Sequence, residues 1–184
     1  MNTPDNTLDH PVVSRDRWIA ERKVLLEREK ELTRLRDRIA GERRALPWVR
    51  LSDDYLFDTV DGPRHLSELF QGRRQLLVQH FMLGPGWEQG CKSCSFMADH
   101  VDGMTVHLAD RDVSFVAVSR APLAKLQAYR RRMGWTFPWA SSLGSDFNYD
   151  FNVSFTEVQQ RDGLVDYNYQ RGGHAMDVTP APAP

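Results

Sequence analysis

Cysteine is nearly missing from this chain of 184 residues, which holds only Cys91 and Cys94. Two cysteines cannot build the disulfide framework of a small secreted domain. Long apolar runs are missing too: nothing approaches the ~18 residues of a membrane-spanning helix. The first residues, Met1 to Pro11, carry Asp5 and Asp9 and lack the apolar core of a secretory signal, so a cytoplasmic location is expected. Neither sign of charge dominates, with 24 basic and 25 acidic residues and a net charge of −1. That balance argues against a general nucleic-acid binder, which needs a basic face for phosphates. Lysine is scarce, 4 against 20 arginines, and we read this as coding bias. There is no internal repeat, no G-x-S-x-G elbow, no Walker loop and no G-x-G-x-x-G.

The residues present suit one domain with an appended arm. Hydrophobic residues make up 41% and charged residues 27%, a globular composition. From Ser14 the pattern turns helical. Trp18, Leu25, Leu32 and Ile39 recur every seven residues, and Leu26 and Leu35 widen the stripe. No Gly or Pro interrupts before Gly41 and Pro47. The pattern predicts a long amphipathic helix over about 14–40. Ser14 can cap it, but Arg17 stands where a capping box needs Glu. Residues 14–50 carry 12 basic and 7 acidic side chains, net +5, and the rest carries 12 and 18, net −6. The stripe is expected to pack on the globular body, with pairing between two copies as the alternative. The face is mixed in sign, so neither nucleic acid nor membrane is an expected partner.

Further on, Leu51–Val60 reads as a short strand, and Asp61-Gly62-Pro63 as the turn of a hairpin. Ser67–Phe70 reads as one helical turn, stopped by Gly72. Gln75–Leu83 is almost wholly apolar and reads as a strand buried on both faces of a parallel sheet. Val113–Ser119 is a second such run. Between them Phe96, Met97, Val101, Met104 and Leu108 fall at helical spacing, giving a right-handed βαβ unit. Pro122, the face Leu123, Leu126, Tyr129 and Met133, then Arg130–Arg132 and Gly134 describe another helix. Phe137-Pro138-Trp139 leads into a short strand. Phe147, Tyr149, Phe151, Val153 and Phe155 alternate with polar residues, which favours a strand, although Phe147 and Phe151 also lie one helical turn apart. Val165–Tyr169 is one more strand. The expected division is a disordered tail over 1–13, a helical arm over 14–47, an α/β domain over 48–173 and a Pro/Ala-rich tail over 174–184.

The chemistry concentrates in Cys91-Lys92-Ser93-Cys94, between the first buried strand and the helix after it. This spacing brings two sulfurs near enough to form and break a disulfide. At a helix N-terminus the first cysteine meets unpaired backbone N–H groups and the positive end of the helix dipole. Lys92 adds positive charge, and Ser93 and Gly90 flank the turn. Cys91 is therefore the expected nucleophile and Cys94 the resolving thiol. Inert packing and a zinc half-site are the competing readings. Zinc needs four ligands, there is no second Cys-x-x-Cys, and His100 and His107 are not tied to the thiols by spacing, so no metal is assigned. His80 is expected to be a hydrogen-bonded core residue. His10 and His174 lie in the loose ends. No cofactor is implied.

Residues 51–155 resemble the thioredoxin superfamily. More closely, nearly the whole chain resembles a bacterial family of uncharacterised proteins, DUF899. The resemblance rests on Trp-Ile-Ala-Glu-Arg at 18–22, HFMLGPGWEQGCKSC at 80–94 and FPWASSLGSDFNYDFNVSF at 137–155. It implies a thioredoxin-like α/β fold, with a central mixed sheet flanked by helices and Cys91 and Cys94 opening the first core helix. Trp87 is similar in kind to the tryptophan before a thioredoxin active site, but four residues upstream. The implied activity is thiol-disulfide exchange on a disulfide-containing protein or a small thiol. Phe57, Asp61-Gly62 and Leu66-Ser67-Glu68-Leu69 resemble the opening of peroxiredoxin-like members, in which the segment matching 145–153 is a short helix. Peroxide chemistry there needs Thr or Ser three residues before the cysteine, where this chain has Glu88. No proline stands where a thioredoxin has the cis-proline facing its dithiol. Members of the family continue past the position of Tyr169, so the chain reads as a truncated member. A thioredoxin-like module that binds or oligomerises without catalysis is the alternative function.

Overall fold

A computed structural model of the chain describes residues 10–51, 54–162, 165–167 and 169–171. The chain forms two units, residues 1–50 and 51–184. The tail expected over 174–184, and most of that over 1–13, fall outside the described residues.

The first unit is one helix, α1 (Arg15–Ala45). Ser14 caps it, its hydroxyl oxygen accepting the Arg17 N–H at 3.3 Å. The helix runs past the expected end near residue 40. Gly41 sits inside it, at about 1 kcal/mol relative to alanine, which a helix of this length tolerates. What stops it is Pro47: Leu46 before it takes φ −60° and ψ 142°, the extended conformation that proline imposes on its predecessor. Arg17–Glu21, Arg22–Glu29 and Lys30–Glu27 pair along the surface at 2.9, 2.8 and 3.1 Å. Exposed pairs of this kind contribute little, so length and capping carry the helix. By itself α1 buries none of its stripe.

The second unit is α/β, with a five-stranded mixed sheet of order β2-β1-β5-β4-β3. β1 (Leu56–Thr59) and β2 (Gly62–His65) form the expected hairpin, with Gly62 at φ +97° in its turn. A 3₁₀ turn follows at Leu66–Phe70. β3 (Gln75–His80) and β4 (Val113–Ser119) are parallel, from Gln75 beside Val113 to His80 beside Val118. β5 (Trp139–Ser141) lies parallel to β4 and meets β1 antiparallel at Asp58. Alternation along β4 feeds two cores. Phe115 and Ala117 face Phe81, Leu83, Leu126, Tyr129, Trp135 and Trp139. Val116 and Val118 face Tyr55, Phe57, Leu69 and Phe147. α4 (Leu123–Met133) follows Pro122 and ends at Gly134 with φ +77°, as its punctuation predicts.

Three expectations need correction. First, β3 is not buried on both faces. Among the described residues β4 is its only strand partner, and Gln75 and Leu77 are exposed. Second, the helix expected across 91–109 is two, α2 (Lys92–Asp99) and α3 (Thr105–Asp110), with a 3₁₀ turn at Asp102–Met104 between them. Asp102 breaks the run by accepting the Thr136 N–H at 2.7 Å, the Thr136 hydroxyl at 2.9 Å and the Phe137 N–H at 3.2 Å. Phe96 and Met97 then face outward. Third, the alternating segment at 147–155 begins as a short helix, α5 (Phe147–Asp150), not a strand. One turn brings Phe147 and Phe151 to 4.6 Å of each other and sets Phe147 5.1 Å from Tyr55, while Tyr149 lies under Arg120 at 4.5 Å. The helix implied by the resemblance is the one observed.

α6 (Glu157–Asp162) and a small ladder of β6 (Asp166–Tyr167) with β7 (Gln170–Arg171) complete the described elements. Among the described residues no helix is long and apolar enough to cross a membrane.

Candidate functional site

The loop between β3 and α2 delivers the cysteines. Phe81 continues the ladder, its N–H donating to the Val118 carbonyl at 2.8 Å, and the Ser119 hydroxyl holds the Leu83 carbonyl at 2.8 Å. The chain then turns through Gly84-Pro85-Gly86, and the Trp87 N–H closes the turn on the Gly84 carbonyl at 3.1 Å. The Trp87 ring lies so close over Gly84 that an added Cβ would meet it at 3.0 Å. Lys125 of α4 ties the loop down, its ammonium donating to the Pro85 and Trp87 carbonyls at 2.7 and 2.9 Å. Gly90 passes between Phe81 and Tyr129, where a Cβ would approach the two rings to 2.6 and 3.0 Å. The loop ends as the Cys91 N–H donates to the Met82 carbonyl at 2.9 Å.

Cys91 is the N-cap of α2. Its sulfur accepts the Cys94 N–H at 3.5 Å, satisfying one of the donors a helix start leaves open. Its carbonyl accepts from both the N–H and the hydroxyl of Ser95, each at 2.9 Å. Ser95 has one hydroxyl proton and spends it there, so Tyr129, 3.0 Å away, donates to the Ser95 oxygen. Cys94 packs against the aromatic core, as does Trp87. Burial, the largest influence, pushes its thiol pKa up; the Met82 backbone N–H opposes this, and the neighbouring Cys91 adds to the rise. Gln79 of β3 reaches under the helix and donates to the Cys94 carbonyl at 3.1 Å. Its other amide atom, Oε1, is buried without a hydrogen-bond partner. Both cysteines are free thiols.

Of the five residues singled out in the sequence, the structure gathers Cys91, Cys94 and Trp87 around this loop. Lys92 and Ser93 are exposed in the first turn, with no side-chain partner among the described residues. Gln79, Met82, Ser95, Lys125 and Tyr129 carried no signal in the sequence, because each reaches the dithiol through the fold. Among the described residues no three His, Cys, Asp or Glu side chains gather as a metal site would require. His100 is engaged with the Phe96 carbonyl at 2.7 Å. His80 departs from expectation: its Nδ1 is buried without a partner, and its ring stacks on Phe147 at 5.3 Å, on the face of the sheet away from Gln79.

Solved structures with some likeness include a candidate protein disulfide isomerase from Bacteroides thetaiotaomicron, 20% identical, covering 56% of this chain and 63% of that one, TM-score 0.41. The peroxidoxin BcpB of Mycobacterium tuberculosis is 21% identical over 48% of this chain and 55% of its own, TM-score 0.40. A PrxQ variant from Xylella fastidiosa is 14% identical over 62% and 74%, TM-score 0.44. The chain thus covers under two thirds of the length of the first two. No curated protein matches it. One family does, through residues 7–179, almost the full length and with both cysteines inside it: the chain belongs to DUF899, the bacterial proteins of unknown function.

Proposed function

We propose that the chain is a thiol-disulfide oxidoreductase working through Cys91 and Cys94. The observation that carries this is the inequality of the two thiols. Cys91 caps the helix at the end of a tethered loop, and Cys94 sits one turn deeper with its ionisation held back by burial. The Cys91 thiolate attacks one sulfur of a substrate disulfide. A mixed disulfide forms and the first substrate sulfur leaves as thiolate. Cys94, once deprotonated, attacks the Cys91 sulfur, closes the Cys91–Cys94 disulfide and releases the second substrate thiol. Two electrons pass to the substrate, and an external thiol or dithiol must return them. A raised Cys94 pKa keeps that thiol protonated through the first step. The substrate class is a disulfide-bonded protein or small-molecule disulfide, met in the cytoplasm.

The test is a redox titration against glutathione or dithiothreitol, followed by mass and thiol count. A reversible two-electron disulfide within one chain is the expected result. Cys91→Ser abolishes turnover, and Cys94→Ser accumulates the mixed disulfide. Two thiols that never pair, or turnover surviving Cys91→Ser, overturn the reading. The second reading is a non-catalytic binding or oligomerisation module, favoured by the apolar stripe that α1 by itself does not bury.

A further inference from the structure

Two hydroxyls are buried behind the dithiol, and stability alone does not call for them. Ser95 of α2 and Tyr129 of α4 are each 8% exposed. Alanine favours a helix more than serine does. Replacing both members of a buried polar pair by apolar side chains of like shape is close to neutral. The pair is nonetheless directed at one atom. The Ser95 hydroxyl donates to the Cys91 carbonyl at 2.9 Å, and the Tyr129 hydroxyl, 3.0 Å behind it, donates to Ser95. The carbonyl already has its helical donor, the Ser95 N–H at 2.9 Å. The second donor holds the Cys91–Lys92 peptide plane, with ψ of Cys91 at 132°. That peptide is a member of the ring that a Cys91–Cys94 disulfide closes. A torsion fixed beforehand is one that closure need not order.

We propose that Ser95 and Tyr129 are positioning residues for the redox step, with Tyr129 acting only through Ser95. They favour the disulfide by holding the Cys91 peptide in its closing geometry. This rests on the exchange through Cys91 and Cys94 proposed above. There the dithiol passes two electrons and two protons to a disulfide such as oxidised glutathione, which leaves as two thiols while the Cys91–Cys94 bond forms. The coupling is reciprocal, so the closed ring in turn strengthens the relay. The Tyr129 ring also borders Gly90, packs on Phe81 and Trp135 and lies under Arg132. Tyr129→Phe therefore takes the hydroxyl and leaves the ring contacts.

The test is the equilibrium of the full chain with glutathione. Ser95→Ala should lower the constant for disulfide formation about tenfold, raising the potential by about 30 mV. Tyr129→Phe should lower it about threefold, or about 14 mV. The double variant should match Ser95→Ala, and its reduced form should melt within about 2 °C of the reduced native chain. Asp99→Ala is the control. It cuts the tie of the far end of α2 to the Trp135 indole at 2.8 Å, and should lower the melting temperature without moving the potential. Unchanged potentials in the single variants overturn the inference and leave the pair merely structural. So do additive shifts, which give Tyr129 a second route to Cys91. An equal shift in Asp99→Ala overturns it too, because general loosening of α2 is then the cause. In all three the native disulfide still forms and the proposed exchange stands. A native chain whose thiols never pair overturns both.

Discussion

His80 closes β3 half-buried, with its ring against Phe147 and Phe151 and its Nδ1 shut away from any acceptor. Burial holds its pKa below the ordinary histidine value. The polar pair close to this cluster is Tyr55 and Asp150, joined at 2.8 Å. The folded state therefore binds fewer protons here than the unfolded chain does. The stability this residue contributes is complete above the unfolded value near 6.5 and is lost as pH falls toward the depressed folded value. Thermal unfolding followed from pH 7 to pH 5 should show the native chain losing stability, and His80→Leu removing that part of the slope. An unchanged slope would mean the ring is solvated when charged. In the sequence His80 was legible only as a strand residue. Its ring partners lie 67 and 71 positions away, at the start of α5 and just past its end, and no local pattern names them. Cys91 and Cys94 were legible because their chemistry is set by local spacing.

Elements were legible where punctuation is local and obscured where a distant residue decides. α4 follows from Pro122 and Gly134. The break between α2 and α3 does not, because Asp102 is drawn out of the helix by backbone donors at 136 and 137. α5 was misread from its alternation, since Phe147 and Phe151 serve a helix once Tyr55 stands opposite them. The loop ahead of Cys91 is the element on which the site depends most. Its shape rests on Lys125 and on the absence of a side chain at Gly90. Gly90→Ala must push Phe81 or Tyr129 out of a packed core, at about 1–3 kcal/mol. Tyr129 is also the donor behind Ser95, so the Cys91 carbonyl loses support with it. Denaturant unfolding should register the loss, and alkylation of Cys91 in the folded state should change rate. Native stability in Gly90→Ala would show that the rings yield freely.

The place of a strand in its sheet belongs to the whole molecule, and this is why β3 was misjudged. QLLVQH satisfies the pattern of a strand covered on both faces, and only the strand order places it last in the sheet among the described residues. The redox state of the dithiol is likewise linked to the stability of the whole unit. Closing a disulfide across four residues restricts the unfolded chain by about 2 kcal/mol in the chain-entropy account. In the folded state the two cysteines already share one helical turn, so closure orders little that is not already fixed. Burial disfavours the Cys94 thiolate, so ionisation of that thiol adds nothing to the reduced form. The oxidised chain should therefore be the more stable one, melting up to about 8 °C higher than the reduced chain. Folding would then favour the disulfide, and under the proposed function the dithiol would act as a reductant, with about 30 mV of potential for each 1.4 kcal/mol. Calorimetry of both forms checks this, with Cys94→Ser as the reference that cannot close. A lower melting temperature for the oxidised chain would reverse the direction, making the protein an oxidant whose folded state stores strain in the closed turn.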